Sequence, residues 1–132
     1  MRSLGLDIGD KRIGVAVSDP GGILASPLTI INRIDETVDV EAITGIIGQQ
    51  QVKQIVVGLP RSMDGSLGKQ AEKVEAFVQK LSNHTEIPVE FRDERLSTVE
   101  AKRLMRAANT KKTRDDAIAA AIILQGYLEE TR

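Results

Sequence analysis

Apolar and polar side chains alternate over residues 3–9 and again over 13–17, a period-two pattern that predicts two antiparallel strands, and residues 23–31 are expected to form a third. Leu4, Leu6 and Ile8 share one face of the first strand. Asp7 projects from the opposite face, as a carboxylate inside an otherwise apolar run. Short glycine-containing turns separate the strands, as hairpin connections require. The opening of the chain therefore predicts an antiparallel meander, and it leaves Asp7 as the residue that needs an explanation.

After residue 35 the apolar spacing changes to that of helices, interrupted by two short strands. The continuously apolar run at 55–60 is typical of a strand buried on both faces in a parallel arrangement. A further strand is expected at 88–91. Helices are predicted over residues 35–51, 67–81, 97–108 and 115–130. The order predicts an α/β fold, with a mixed sheet of three antiparallel strands and then parallel strands, flanked by helices.

Length and composition narrow the class of protein. A chain of 132 residues suits one domain, which we expect over 1–132. It contains no cysteine, which excludes disulfides, thiolate metal sites and cysteine nucleophiles. The single histidine, His84, cannot supply the two or three nitrogen ligands of a usual zinc site. Neither a signal peptide nor an apolar run of membrane-spanning length is present, so we expect a cytoplasmic protein without a membrane partner.

The charge is unevenly distributed along the chain. The net charge is −1, yet residues 92–114 carry eight Lys/Arg and only three Asp/Glu. The segments before and after this one are both net acidic. Such a basic segment is either a solvated helix face or a surface that contacts phosphates, and composition alone leaves both interpretations open.

Acidic residues stand at the edges of three predicted elements. Asp7 lies in the first strand, Glu94 follows the last strand, and Asp115 and Asp116 begin the last helix. Each has a structural explanation when taken alone, such as a salt bridge or a favourable charge at the positive end of a helix. In a compact domain these elements can meet at one end of the sheet, where the carboxylates would repel one another unless a cation neutralised them. Mg²⁺ prefers such oxygen ligands, so the pattern favours a magnesium site that acts on phosphodiesters.

Four motifs occur in order along the chain: GLDIGDKRIGVAVSD, IVVGLPRSMDGS, DERLST and DDAIAAAIILQGYLE. Together they resemble the YqgF family, bacterial relatives of the RuvC Holliday-junction resolvases, over nearly the whole sequence. The resemblance implies a ribonuclease H-like fold and a nuclease that matures the 5′ end of pre-16S ribosomal RNA, with ribosomal precursor particles as partners. A Holliday-junction resolvase acting on branched DNA is the alternative within the same family.

The resemblance also implies roles for individual residues. Asp7, Glu94 and Asp116 correspond to the catalytic carboxylates, which would hold Mg²⁺ or Mn²⁺ as the cofactor. Counting back from Ile123-Leu124-Gln125 places the family's aspartate at Asp116 rather than at Asp115. Asp10 departs from the pattern, since relatives often carry threonine at this turn position.

Basic residues are the expected contacts to a nucleic acid. Only three aromatic residues are present, so we expect structured RNA or branched DNA to be held through its phosphates and shape rather than by base stacking. The candidate phosphate contacts are Lys11, Arg12, Arg61, Arg92, Arg95, Lys102, Arg103, Arg106, Lys111, Lys112 and Arg114.

Two other classes of protein remain open from the residues. Actin-like sugar and acetate kinases begin with the same strand aspartate and glycine hairpin, but they need two such domains, for which this chain lacks the room. A nucleic-acid-binding module whose acids are structural is the second class. The sequence leaves the oligomeric state open, because junction resolution normally calls for two active sites whereas end trimming needs one.

Overall fold

A computed structural model describes residues 1–60, 68–93 and 115–131 of the chain. The described strands are β1 (Ser3–Ile8), β2 (Arg12–Ser18), β3 (Ala25–Asn32), β4 (Gln54–Leu59) and β5 (Val89–Asp93). The described helices are α1 (Glu36–Gln50), α2 (Lys69–Ser82) and α3 (Asp115–Glu130).

The five strands form one mixed sheet in the order β3-β2-β1-β4-β5. β2 lies antiparallel to both β1 and β3, whereas β4 lies parallel to both β1 and β5. The predicted sheet is therefore confirmed, with its three antiparallel strands followed by parallel ones. Along β3 the register shifts beside Val15 and Ala16, where Ala16 is paired with Pro27. A proline has no N–H for a regular ladder, which accounts for an irregularity at this position of an outer strand.

β4 is an inner strand of the sheet, between β1 and β5. All six of its residues are buried. This burial confirms the interpretation of the continuous apolar run at 55–60 as a parallel strand covered on both faces.

Helices cover both faces of the sheet. Leu4, Leu6 and Ile8 of β1 pack into one core with apolar residues of α1 and α2. The second core lies on the other face, where Ala120 and Leu124 of α3 pack with residues of β2, β3 and β4. Because successive strand residues point to opposite faces, Asp7 belongs to the face that α3 covers.

The helix α1 begins and ends close to its predicted bounds. Asp35 is the N-cap residue, and its side chain accepts a hydrogen bond of 2.9 Å from the Val38 backbone N–H. At the other end Gln51 takes a left-handed backbone conformation with φ 54°, which terminates the helix.

β3 begins at Ala25, two residues later than the sequence pattern predicts. Asp19 explains the difference, because its Oδ1 accepts hydrogen bonds from the backbone N–H groups of Ile23 (2.7 Å) and Leu24 (2.8 Å). These two amides are therefore used in a turn before the strand starts. Hydrogen bonds from Leu24 and Ile23 also lower the pKa of Asp19 below its ordinary value, since they stabilise the ionised carboxylate.

The helix predicted at 97–108 lies outside the described residues. Among the helices that the structure does describe, none is both long and apolar enough to cross a membrane.

Candidate active site

Asp7 lies near the carboxyl end of β1, on the face of the sheet that α3 covers, and its side chain is half-buried. Its direct neighbour in the antiparallel ladder is Gly14 of β2. Because Gly14 has no side chain, it leaves an opening on this face of the sheet, where another backbone segment can pack directly against β2 beside Asp7.

The amino-terminal end of α3 occupies that opening. A methyl group at Gly14 would collide with the backbone carbonyl of Asp116, and it would lie 2.9 Å from the backbone nitrogen of Ala117. The Asp116 backbone therefore lies over β2, at the ladder position next to Asp7. The structure thus places Asp7 and the Asp116 backbone, from opposite ends of the chain, over neighbouring strands on one face of the sheet.

A second glycine continues the same close packing. At Gly5 an added methyl group would lie 2.8 Å from the carbonyl oxygen of Ala120 and 2.8 Å from Cβ of Leu124. Gly5 and Gly14 therefore let α3 lie directly on β1 and β2. This contact fixes where the first turn of α3, and with it Asp116, stands on the sheet.

The Asp116 carboxylate has a cationic partner on β2. Nε of Arg12 donates a hydrogen bond of 2.7 Å to Oδ2 of Asp116, and the two side chains are 57% and 35% exposed. Arg12 and Gly14 are two residues apart in β2 and share a face. The first turn of α3 adds a partial positive charge that favours a carboxylate at this position.

The donor set fits a hard divalent cation. Asp7 and Asp116 offer carboxylate oxygens on one face of the sheet, and oxygen ligands are what Mg²⁺ and Mn²⁺ prefer. Within residues 1–60, 68–93 and 115–131, no group of three or more acidic, histidine or cysteine side chains is close enough to hold a metal. Glu94, the third predicted ligand, lies outside these residues. Two carboxylates are nonetheless a common protein contribution to a magnesium site, with water and phosphate supplying the remaining ligands.

The carboxyl end of β5 lies at the same edge of the sheet as that of β1. The parallel register aligns Leu6 with Val57, and Val57 with Phe91. Asp93, the last residue of β5, is aligned with Leu59 and therefore lies at the same edge of the sheet as Asp7.

A buried ion pair behind the site was not anticipated from the sequence. Arg33 donates from Nη1 to the backbone oxygen of Gly9 (2.9 Å) and from Nε to Oδ2 of Asp39 (3.0 Å). Asp39 is 1% exposed, and the Arg33 guanidinium lies 4.9 Å from the centre of the Phe77 ring. This network ties the β1–β2 turn to α1 and α2. A charged residue just before a helix cap gives no periodic signal, which is why sequence patterns did not single it out.

Asp10 lies in the same turn, and its partner is on α2. Its Oδ1 is 3.5 Å from Nζ of Lys73, and both side chains are 64% exposed. The cleft of about 200 Å³ beside them is lined by Arg33 and by residues of α2, on the face opposite to Asp7. Asp10 is thus directed toward the α2 side of the turn.

The predicted phosphate contacts divide into three groups. Lys11 and Arg12 are both exposed, and Arg12 pairs with Asp116. The candidates outside the described residues are Arg61, Arg95, Lys102, Arg103, Arg106, Lys111, Lys112 and Arg114. Arg92 is described, and it does not fit the role.

Arg92 is a structural residue rather than a phosphate contact. Its side chain is only 9% exposed, and Nη1 donates a hydrogen bond of 2.6 Å to Oε1 of Glu130. The guanidinium covers Gly126 so closely that a methyl group there would lie 2.5 Å from Nη2. Its Nε is buried without a hydrogen-bond partner among the described residues. The absent side chain at Gly126 explains why this arginine lies on α3 instead of in solvent.

Comparison with solved structures identifies the fold. Thermus thermophilus RuvC in complex with a Holliday junction substrate matches 99% of this chain and 96% of its own, with a TM-score of 0.66 and 14% identity. The fowlpox virus resolvase in complex with Holliday junction DNA matches 99% of both chains, with a TM-score of 0.59 and 14% identity. The fold is therefore ribonuclease H-like, as expected.

Sequence relatives cover nearly the whole chain. A protein of Dehalococcoides mccartyi is 52% identical over 126 residues, 94% of this chain and 95% of its own, and is named "Putative pre-16S rRNA nuclease". A protein of Halothermothrix orenii with the same name is 47% identical over 132 residues, 97% of this chain and 94% of its own. The family model described as "RuvX: Holliday junction resolvase" matches residues 1–130. These matches confirm the family resemblance, and the chain belongs to the RuvX (YqgF) family.

Proposed function

We propose that the chain is a metal-dependent endonuclease that hydrolyses phosphodiester bonds during 5′-end processing of pre-16S ribosomal RNA. The RuvX family and the relatives named pre-16S rRNA nucleases support a hydrolase of this class. The observation that carries the proposal is the close packing of the Asp116 backbone on Gly14, the ladder neighbour of Asp7. We assign the activity to a single nuclease domain over residues 1–132 and, given its rRNA substrate, to the cytoplasm.

Asp7, Glu94 and Asp116 are the proposed ligands of Mg²⁺ or Mn²⁺. A divalent ion bound there would lower the pKa of the attacking water and stabilise the leaving oxygen. The residues of the chain do the positioning: Gly14 admits the first turn of α3, and the β1–β2 ladder holds Asp7 beside it. Carboxylates held on rigid elements keep a metal and its substrate in one geometry, which is the larger part of catalysis of this kind.

Exposed basic residues would position the RNA. Arg12 pairs with Asp116, and Lys11 is the exposed residue that precedes it in the chain. Arg61, Arg95, Lys111, Lys112 and Arg114 complete the proposed phosphate contacts. Such contacts set orientation and affinity but carry no sequence information, so structured RNA within a ribosomal precursor particle is the proposed substrate.

Holliday junction resolution is the second candidate function. The description of the matching family model favours it, and the fold is shared with a RuvC whose structure contains a junction substrate. A junction has two strands to cut, so this function would require two copies of the chain acting together.

The two functions are separated by offering purified protein two labelled substrates. The first is a pre-16S rRNA 5′ leader and the second is a four-way DNA junction, each with Mg²⁺ and with Mn²⁺ in the millimolar range. We expect cleavage of the leader RNA, dependent on the metal, and no cleavage of the junction.

The contrary results identify the other functions. Cleavage of the junction alone would establish a resolvase. Binding of either substrate without cleavage, together with a melting temperature indifferent to both metals, would establish a non-catalytic binding module and overturn the proposal.

A further inference from the structure

We propose that Arg12 is a displaceable counter-ion of the carboxylate site. It neutralises Asp116 while no divalent cation is bound, and it is released to a substrate phosphate when the cation takes its place. This inference rests on the proposed function, because it concerns how the same site changes between two states.

The hydrogen bond between Arg12 and Asp116 occupies a carboxylate oxygen that a cation would need. Arg12 donates from Nε to Oδ2 of Asp116 at 2.7 Å, a short charge-assisted hydrogen bond. A divalent ion on this carboxylate would compete with the guanidinium for the same oxygen lone pairs. Two cations on one carboxylate repel each other, so binding of the ion weakens the ion pair.

The exposure of both side chains allows the Arg12–Asp116 pair to separate. Arg12 is 57% exposed and Asp116 is 35% exposed, so the pair can separate without leaving a buried charge unpaired. The contrast with Arg33 is direct, since that guanidinium is 20% exposed and its partner Asp39 is 1% exposed. Breaking the Arg33 pair would strand a buried carboxylate, whereas breaking the Arg12 pair returns both groups to water or to new partners.

The position of Arg12 determines where the released guanidinium can go. It is the first residue of β2, directly after the hairpin turn, and it shares with Gly14 the face on which Asp116 lies. A guanidinium has five N–H donors in a planar fork that matches a phosphate. When it leaves Asp116 it is therefore beside the site, with the geometry to bind a phosphate of the substrate.

The exchange couples the metal and the nucleic acid thermodynamically. If the cation frees Arg12 for phosphate, then the cation raises the affinity for RNA, and RNA must raise the affinity for the cation by the same factor. Without the metal, Arg12 is engaged by Asp116 and adds little to RNA binding.

The first test measures metal binding by calorimetric titration of Mn²⁺ into Arg12→Gln and wild-type protein without RNA. We expect the variant to bind Mn²⁺ about two- to fivefold more tightly, because an exposed ion pair of ordinary strength no longer competes. Arg2→Gln is the matched control, since Arg2 lies at the other end of β1 and bonds to Gln50. Its affinity for Mn²⁺ should equal that of the wild type.

The second test measures RNA binding by fluorescence anisotropy in EDTA and the KM for cleavage in Mg²⁺. In EDTA, Arg12→Gln should bind the leader RNA as the wild type does, whereas in Mg²⁺ its KM should rise severalfold. Lys11→Gln, at the neighbouring exposed lysine, should weaken RNA binding under both conditions.

The outcomes separate this inference from the proposed function. If Arg12→Gln binds Mn²⁺ no more tightly than the wild type, and the wild-type protein cleaves the leader RNA, the counter-ion role is overturned. The proposed nuclease function is then unaffected. Loss of RNA binding by Arg12→Gln in EDTA would also overturn it. Failure of the wild type to bind Mn²⁺ would overturn both proposals.

Discussion

At the scale of single residues, the β1–β2 turn is fixed by hydrogen bonds of Arg33, on the face of the sheet opposite to Asp7. Arg33 joins the Gly9 carbonyl at the turn to the buried carboxylate of Asp39 at the start of α1. Asp39 also accepts a hydrogen bond of 3.0 Å from the Ile34 backbone N–H. One side chain therefore aligns the hairpin that carries Asp7 and Arg12 without touching the proposed site.

Replacement of Arg33 should be strongly destabilising. Arg33→Met leaves Asp39 buried and unpaired, which costs about 3–5 kcal/mol in the free energy of unfolding. Urea denaturation measures this loss. The double variant Arg33→Met/Asp39→Asn is the control, and it should regain part of the stability because no buried charge is stranded. A single variant within about 0.5 kcal/mol of the wild type would contradict the role of the pair.

Asp19 should make the stability of the β2–β3 connection depend on pH. Its pKa is lowered in the folded state by hydrogen bonds from the Leu24 and Ile23 amides. The contribution of Asp19 to stability is therefore fully present above the unfolded pKa of about 4, and it is lost as the pH falls through the lower folded pKa. Asp19→Asn keeps an acceptor but cannot titrate. The melting-temperature difference between wild type and variant should therefore shrink below about pH 4. A constant difference from pH 6 to pH 2.5 would refute this interpretation.

At the scale of elements, two glycines set the position of α3. Gly14→Ala should force the Asp116 carbonyl away from β2 and lower the free energy of unfolding by about 1–3 kcal/mol. The cleavage rate should fall further than the loss of folded protein accounts for, because Asp116 is displaced from Asp7. Thermal melts and cleavage rates measured below the melting transition check both effects. Wild-type cleavage by Gly14→Ala would contradict the packing argument.

Gly45 of α1 supplies the matched control for this substitution. A methyl group there meets no atom within 4 Å, so Gly45→Ala relieves only the entropy of a glycine in a helix. It should stabilise the protein by about 0.4–1 kcal/mol and leave cleavage unchanged. Destabilisation by Gly45→Ala would show that this face of α1 is covered.

Most of the described elements could be predicted from the sequence, because the burial of one face of a strand or helix requires apolar residues at a regular spacing along the chain. The alternation around Asp7 predicted its face of the sheet, and the apolar run at 55–60 predicted the parallel strand that is buried on both faces. Arg33 could not be found in this way, because a single charge outside a periodic run looks like a surface residue. Arg92 was misassigned as a phosphate contact, since its burial depends on the missing side chain of Gly126, far along the chain.

At the scale of the whole molecule, the sheet order brings the two ends of the chain together. β1 stands between β2 and β4, and α3 crosses β1, β2, β3 and β4. The proposed site is therefore assembled only in the folded protein, and a cation that binds it should bind the native state alone.

The metal should consequently stabilise the fold. At a hundredfold excess over its dissociation constant, Mg²⁺ or Mn²⁺ should raise the free energy of unfolding by about 2.7 kcal/mol. Thermal melts across the millimolar range measure the shift. Asp116→Asn should lose most of this increment, and an equal shift in that variant would place the metal elsewhere.

The central claim, a metal-dependent nuclease built on Asp7, is tested most directly by single-turnover cleavage of a 5′-labelled pre-16S rRNA leader in Mg²⁺. Asp7→Asn protein, whose new side chain has nearly the same size and shape, should still show a cooperative thermal melt in EDTA. Its cleavage should fall by at least about a thousandfold, since several kcal/mol of transition-state stabilisation depend on the metal. Cleavage at the wild-type rate by folded Asp7→Asn protein would contradict the account.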